Sequence, residues 1–330
     1  MRAVRLHHYG AAEELRLEDT PSPRAGPDDV RVAVRAAAVN PVDFKIRSGA
    51  QRAVLRLSLP WTLGMDVSGE VLEVGARVSG FKPGDQVVAS PSHRRMGCYA
   101  DEVVIRADEL ALKPASLTHI EAASLPLVAL TAWDALKAMR VQRGQRVLIQ
   151  AGAGGVGSVA IQLARHIGAE VLTTCSAANV ELVRSLGADV AIDYRSEDWR
   201  AIARDCDAVL DSLGGEALSD AINTVRRGGR VACITPGVPE FTKRYGSVLG
   251  LLVFGGWLGG TMLRARLTRE VSLSVVTRRT NGRTLGEVMR LVEAGALRPV
   301  IDRVFPLAEA AAAHRYLETG HARGKVVLQP

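Results

Sequence analysis

The twenty residues RVLIQAGAGGVGSVAIQLAR (146–165) constrain this chain more than any other stretch. The apolar run Val147 to Ile149 reads as a buried strand and the glycines after it as a tight turn. Val156, Val159, Ala160 and Leu163 then recur at helical spacing. Strand, glycine turn and helix in that order place exposed N–H groups and the positive end of a helix dipole at one point, which suits a pyrophosphate. Gly152, Gly154, Gly155, Val156 and Gly157 are therefore the candidates to hold a dinucleotide.

Strand continues to alternate with helix beyond this motif, in EVLTT (170–174), NVELVRSLG (179–187), AVLD (208–211) and RVACIT (230–235). That alternation implies parallel βαβ units, and a doubly wound domain over about 126–265 opens with the expected helix LPLVALTAWDAL (125–136). Residues 1–125 differ. Short Val-rich segments such as VRVAVRAAAV (30–39), DVSGEVLEVG (66–75), DQVVAS (85–90) and YADEVVI (99–105) are separated by turns such as KPGD (82–85). This pattern predicts an all-β barrel. The tail, 266–330, returns to short strands around one helix, so the first domain is expected to be discontinuous.

Composition excludes several function classes. Of 42 basic residues 36 are Arg, spread without a basic block or interleaved aromatics, so the net charge of +7 gives nucleic-acid binding little support. Cys98, Cys175, Cys206 and Cys233 lie far apart and read as buried thiols in a reducing compartment, and the first residues open directly into strand-like sequence; a cytoplasmic setting is the expectation.

Further cofactor contacts are expected at the carboxyl ends of the later strands. After EVLTT an Asp or Glu would hold a ribose 2′-hydroxyl, but the sequence offers Thr174, Cys175, Ser176 and Asn179, and Ser176 and Asn179 can donate to a 2′-phosphate. NADPH is thus favoured over NADH. Tyr194, beside Arg195, can pack on adenine, while Ser212 to Gly214 and Ile234, Thr235 and Pro236 should line the site.

Residues 245–263 carry no charge, with Lys243 and Arg244 before them and Arg264 and Arg266 after. Six glycines weaken a helix here and the segment interrupts an α/β domain, so the expectation is an edge strand, a dimer contact and an apolar lid rather than a spanning helix. Peripheral membrane contact stands as the alternative.

The run from Gly144 to Arg165 resembles the quinone oxidoreductase and zeta-crystallin signature of the medium-chain dehydrogenase/reductase superfamily. AAAVNPVDFKIRSG (36–49), LGMDVSGEVLEVG (63–75), FKPGDQVVA (81–89), AASLPLVALTAWDAL (122–136), SLGADVAIDYR (185–195) and HARGKVVL (321–328) resemble that family in the same order. The resemblance implies a GroES-like β-barrel catalytic domain, a Rossmann domain, an active site in the cleft between them and a homodimer. It also marks Thr131 as a residue near the nicotinamide. Where NADPH-using members carry a Lys after the second strand this chain has Asn179, which leaves NADH open as a second cofactor. Zinc-dependent relatives place a ligand His in the glycine motif, and here that position is Met65. Reduction without zinc points to an acceptor that delocalises its own charge. The expected substrate is therefore a small hydrophobic quinone or α,β-unsaturated carbonyl. Its residues lie in the segment resembling the family's substrate loop: Asn40 to orient an oxygen, Lys45 to donate to developing negative charge, and Asp43 more to fix the loop than to take a proton. A pathway-specific enoyl or carbonyl reductase, or an NADPH-binding protein without turnover, is the alternative.

Overall fold

A computed structural model describes residues 1–330, which divide into two compact units: Met1–Leu130 with Arg279–Pro330, and Thr131–Arg278.

In the first unit β1 (Arg2–Leu6), β2 (Leu15–Asp19) and β4 (Trp61–Thr62) make a small antiparallel sheet. The larger sheet is built on β3 (Asp29–Val39), β5 (Val67–Val74), β6 (Gln86–Ala89), β7 (Glu102–Arg106) and β8 (Leu110–Leu112). β3 alternates as its sequence suggests, with Val30, Val32 and Val34 turned into the core and Arg31, Ala33 and Arg35 on the opposite face. Its last four residues are all buried, because Ala36 and Ala38 on the other face pack against Ala123 and Val327. Short helices α1 (Pro41–Arg47) and α2 (His119–Ala123) follow β3 and β8 respectively, and α3 (Pro126–Met139) leads into the second unit.

The second unit carries a sheet in which every pair is parallel: β9 (Arg146–Ile149), β10 (Glu170–Cys175), β11 (Val190–Asp193), β12 (Cys206–Asp211), β13 (Val225–Cys233) and β14 (Ser272–Val275). Their order is β11-β10-β9-β12-β13-β14, so direction of winding reverses between β9 and β12, where ligands of such sheets collect. α4 (Gly155–Ile167), α5 (Val180–Ser185), α6 (Trp199–Ile202), α7 (Gly215–Thr224), α8 (Val238–Tyr245) and α9 (Ser247–Arg269) connect the strands.

The chain then returns to the first unit through α10 (Gly282–Glu293), β15 (Ile301–Pro306), α11 (Ala310–Glu318) and β16 (Lys325–Gln329). β16 inserts between β15 and β3, completing the order β15-β16-β3-β5-β6-β8 with β7 on β3. The return falls at 279 rather than 266, since β14 adds a sixth parallel strand first. The apolar segment also differs from its expectation. It forms no edge strand but most of one continuous helix, α9, despite its glycines. Two adjacent parallel strands need a crossover of a dozen or more residues, and that demand outweighs local propensity.

Candidate functional site

The turn between β9 and α4 is built by close approach. A Cβ on Gly152 would lie 2.0 Å from Thr173 Oγ1, and one on Gly157 would lie 2.3 Å from Ala151 O and 2.7 Å from Gly152 Cα. These two glycines are required by the chain's own packing. Gly154 is not: its Cβ would meet only Ala151 O, at 3.3 Å. Thr174 holds the turn in place, its hydroxyl accepting from Ala151 N–H (3.1 Å) and its carbonyl from Gly152 N–H (2.9 Å). No side chain caps the start of α4, so the first-turn N–H groups of Gly155, Val156 and Gly157 face outward from the helix end.

Around this turn lie polar atoms that are buried and have no partner within the chain: both ends of the Gln150 amide after β9, Asn179 Oδ1 after β10, Ser212 Oγ after β12 and Thr235 Oγ1 after β13. Buried polar atoms are ordinarily paired, so four residues left unpaired at the carboxyl ends of four neighbouring strands mark a place for a polar ligand. Asn179 also donates from Nδ2 to Ser176 Oγ (3.1 Å). Asp211, fully buried, accepts from Leu213 N–H (3.1 Å) and Gly214 N–H (3.0 Å) and so shapes the loop carrying Ser212. Ile234 N–H donates to Asp211 O (3.0 Å). Tyr194 is half-exposed beyond β11 with the Arg195 guanidinium 5.7 Å from its ring centre. Thr131 is buried five residues into α3, inside the helix rather than at its start. A dinucleotide fits these residues: a glycine at 154 with no side chain to stand in its way, free N–H groups at the helix start, and hydroxyls and amides awaiting partners. Gln150 was not among the sequence candidates. The signal for it was its place as the first residue after β9, directly before the glycines, which the sequence reading passed over.

In the first unit the residues expected to be catalytic fall into a buried network. Asn40 and Asp43 form a capping box at the start of α1, with Asn40 N–H donating to Asp43 Oδ2 (2.8 Å). The Asn40 amide is taken at both ends: Nδ2 donates to Asp66 Oδ2 (2.9 Å) and Oδ1 accepts from Lys325 Nζ. Lys325 also donates to Asp66 Oδ2 (3.1 Å), and Asp66 Oδ1 accepts from Leu127 N–H (2.7 Å). Tyr99 OH donates to Asp43 Oδ2 (2.9 Å), and His314 Nε2 lies 3.3 Å from that hydroxyl. Burial pushes the Asp43 carboxyl up to about 7 against the pull of Asn40 and Tyr99, and holds the His314 imidazole down at about 3. Asp43 thus sits as a loop-fixing residue with no exposed surface. Lys45 stands apart, half-buried on α1. Lys325, Tyr99 and His314 escaped the sequence reading. A lone Lys inside the apolar strand run GKVVLQ is the one available clue, because a lysine buried in a strand needs an acid. His119 on α2 pairs with β5, its Nδ1 2.8 Å from Ser68 Oγ. No three His, Cys, Asp or Glu side chains converge in a metal-holding cluster.

Comparison with known proteins agrees with this architecture. Residues 26–115 match the alcohol dehydrogenase GroES-like domain family and residues 186–328 the zinc-binding dehydrogenase family. The chain is 38% identical over 324 residues to mouse NAD(P)H oxidoreductase RTN4IP1, mitochondrial, covering 92% of this chain and 82% of that one. It belongs to the quinone oxidoreductase family of the medium-chain dehydrogenases/reductases. Within that family it is 36% identical over 341 residues to the chloroplastic NADPH-dependent alkenal/one oxidoreductase of Arabidopsis thaliana, covering all of this chain and 80% of the relative. The solved quinone oxidoreductase of Coxiella burnetii superposes with a TM-score of 0.88 at 35% identity, covering 100% of this chain and 99% of that one. Membership of the quinone oxidoreductase family makes the protein an oxidoreductase, and its cofactor is NADPH.

Proposed function

We propose that this protein reduces quinones or α,β-unsaturated carbonyl compounds with NADPH and without zinc. The set of unpartnered buried groups at Gln150, Asn179, Ser212 and Thr235 around the glycine turn carries the cofactor half of this reading. Bound NADPH supplies a hydride. The chain's own groups hold the nucleotide: the N–H groups of Gly155, Val156 and Gly157 suit the pyrophosphate, and the Ser176 hydroxyl, which accepts from Asn179 Nδ2 and keeps its own proton to donate, suits the 2′-phosphate.

Two observations support an acceptor that needs no metal. At Gly64-Met65-Asp66 the side chain that would have to ligate is a buried thioether, and the neighbouring Asp66 carboxylate is already occupied by Asn40, Lys325 and Leu127. A quinone or enone spreads the incoming charge onto its oxygen, where a single cationic donor is of most use. Lys45, which is engaged with no carboxylate, is our candidate for that donor.

The test is a fluorescence titration with NADPH and NADH, followed by addition of 9,10-phenanthrenequinone or a simple enone while nucleotide absorbance is followed. Tighter binding of NADPH and turnover that survives a chelator are expected. Tight binding with neither acceptor reduced overturns the substrate reading, and loss of activity to the chelator overturns its zinc-free form. Lys45→Ala should lower kcat about a hundredfold and leave NADPH affinity alone. An unchanged kcat removes Lys45 from the chemistry.

A further inference from the structure

A helix that is apolar on all sides belongs in a protein core or against lipid. α9 has no such place within this chain. Of its 23 residues only Gly250 and Ala265 are buried, and its most apolar eighteen-residue window, of mean hydropathy 1.4, is 11% buried. One side is accounted for: Phe254 and Trp257 pack on Phe241 of α8 at 5.6 and 5.4 Å between ring centres, and Trp257 rests on the core beneath the sheet. The other side is open. Val248, Leu252, Leu263 and Leu267 are 76%, 68%, 59% and 71% exposed and fall on one helical stripe, and Gly255, Gly256, Gly259 and Gly260 face empty space.

Charge selects what covers this stripe. From Phe241 to Arg269 there is no Asp or Glu, while Lys243, Arg244, Arg264 and Arg266 are exposed at the two ends. Glu270, just beyond, is held by Arg227 at 2.7 Å. Two copies packed stripe to stripe, in either direction, set cationic ends against cationic ends. Anionic headgroups meet both ends favourably, with the long stems reaching phosphate while the leucines enter the acyl boundary. Crossing the bilayer is barred by topology. One residue separates α9 from α8, which follows β13, and two separate it from β14, which pairs with β13 in the same sheet; Ala265 and Val271 are buried in that sheet's core. Both ends stay on one side.

We propose that α9 is a docking element that lays this protein flat on an anionic bilayer surface, with Val248, Leu252, Leu263 and Leu267 in the interface and the four exposed cations on lipid phosphates. The inference stands independently of the acceptor that the enzyme reduces.

The test is co-sedimentation of the full-length protein with phosphatidylcholine vesicles, with and without phosphatidylglycerol. Binding at least about tenfold tighter to the anionic vesicles and weakened by added salt is expected. R264E/R266E should cut that affinity by about tenfold or more, and L252E/L263E should abolish it. All four positions are exposed, so both double variants should keep the wild-type melting temperature and NADPH binding. Wild-type protein left in the supernatant with both vesicle types overturns the proposal, as does binding that neither double variant weakens. A wild-type dimer in light scattering that L252E/L263E splits into monomers also overturns it, because the stripe then covers a second copy.

Discussion

Lys325 is the residue on which the first unit's polar core depends. Its ammonium is nearly fully buried and bonds Asp66, the Asn40 amide and the Val39 carbonyl together. Lys325→Met leaves Asp66 as an uncompensated buried charge and should cost about 3–5 kcal/mol, read as a shift of the urea midpoint. His314 adds a pH signature. Unfolded it takes a proton near 6.5 and folded only near 3, so it contributes stability above that window that is lost as pH falls through it. Asp43 acts in the opposite sense. Its folded carboxyl titrates at about 7 rather than 3.8, so its share of stability is lost as pH rises between those values. His314→Phe should keep the edge-on packing against Tyr99 and remove the first effect. Urea midpoints of the variant should then fall as pH rises from about 4 to 7, at no more than about 1.4 kcal/mol per unit, where the wild type is flatter. Identical pH profiles would show that His314 titrates normally. Beyond the lone Lys in GKVVLQ and the Asn40–Asp43 segment itself, the sequence held no sign of this network, because Tyr99, His314 and Lys325 lie far from Asn40 along the chain and only the fold brings them together.

At the level of elements, the β9–α4 turn was the most legible part of the molecule, since strand, glycines and helix are contiguous and each residue's task is local. The sequence could not tell which glycine serves the fold and which the ligand. The structure separates them: Gly152→Ala drives a methyl into Thr173 and should destabilise by about 1–3 kcal/mol in urea unfolding. Gly154→Asp, whose Cβ would meet only Ala151 O at 3.3 Å, should lower the melting temperature less than Gly152→Ala while abolishing NADPH binding in a fluorescence titration. Equal melting temperatures for both variants would overturn that division. α9 was the least legible element. Its glycines argue against a helix one by one, whereas the requirement for a helix arises from the pairing of β13 with β14 on either side, a relation no local window contains.

Across the whole molecule, the two-unit organisation was readable from the change of hydrophobic period alone, and the discontinuous first unit from the return of short strands near the end. What stayed hidden was where the last strand goes. β16 does not extend an edge; it fills the gap between β15 and β3, with Val326, Val327 and Leu328 opposite Val39, Ala38 and Ala37. Removing 325–330 should therefore unfold the first unit, and limited proteolysis should cut within 1–130 while a fragment near 131–278 survives. The order of synthesis follows from the same placement. The second unit is complete once residue 278 has left the ribosome, but the part made first, residues 1–130, must wait about 200 residues beyond its own end for the strand that pairs with β3. At about 5–20 residues per second that is roughly 10–40 s during which the end of β3 is an open edge, so a chaperone that shields nascent strands should matter more for this unit than for the later one.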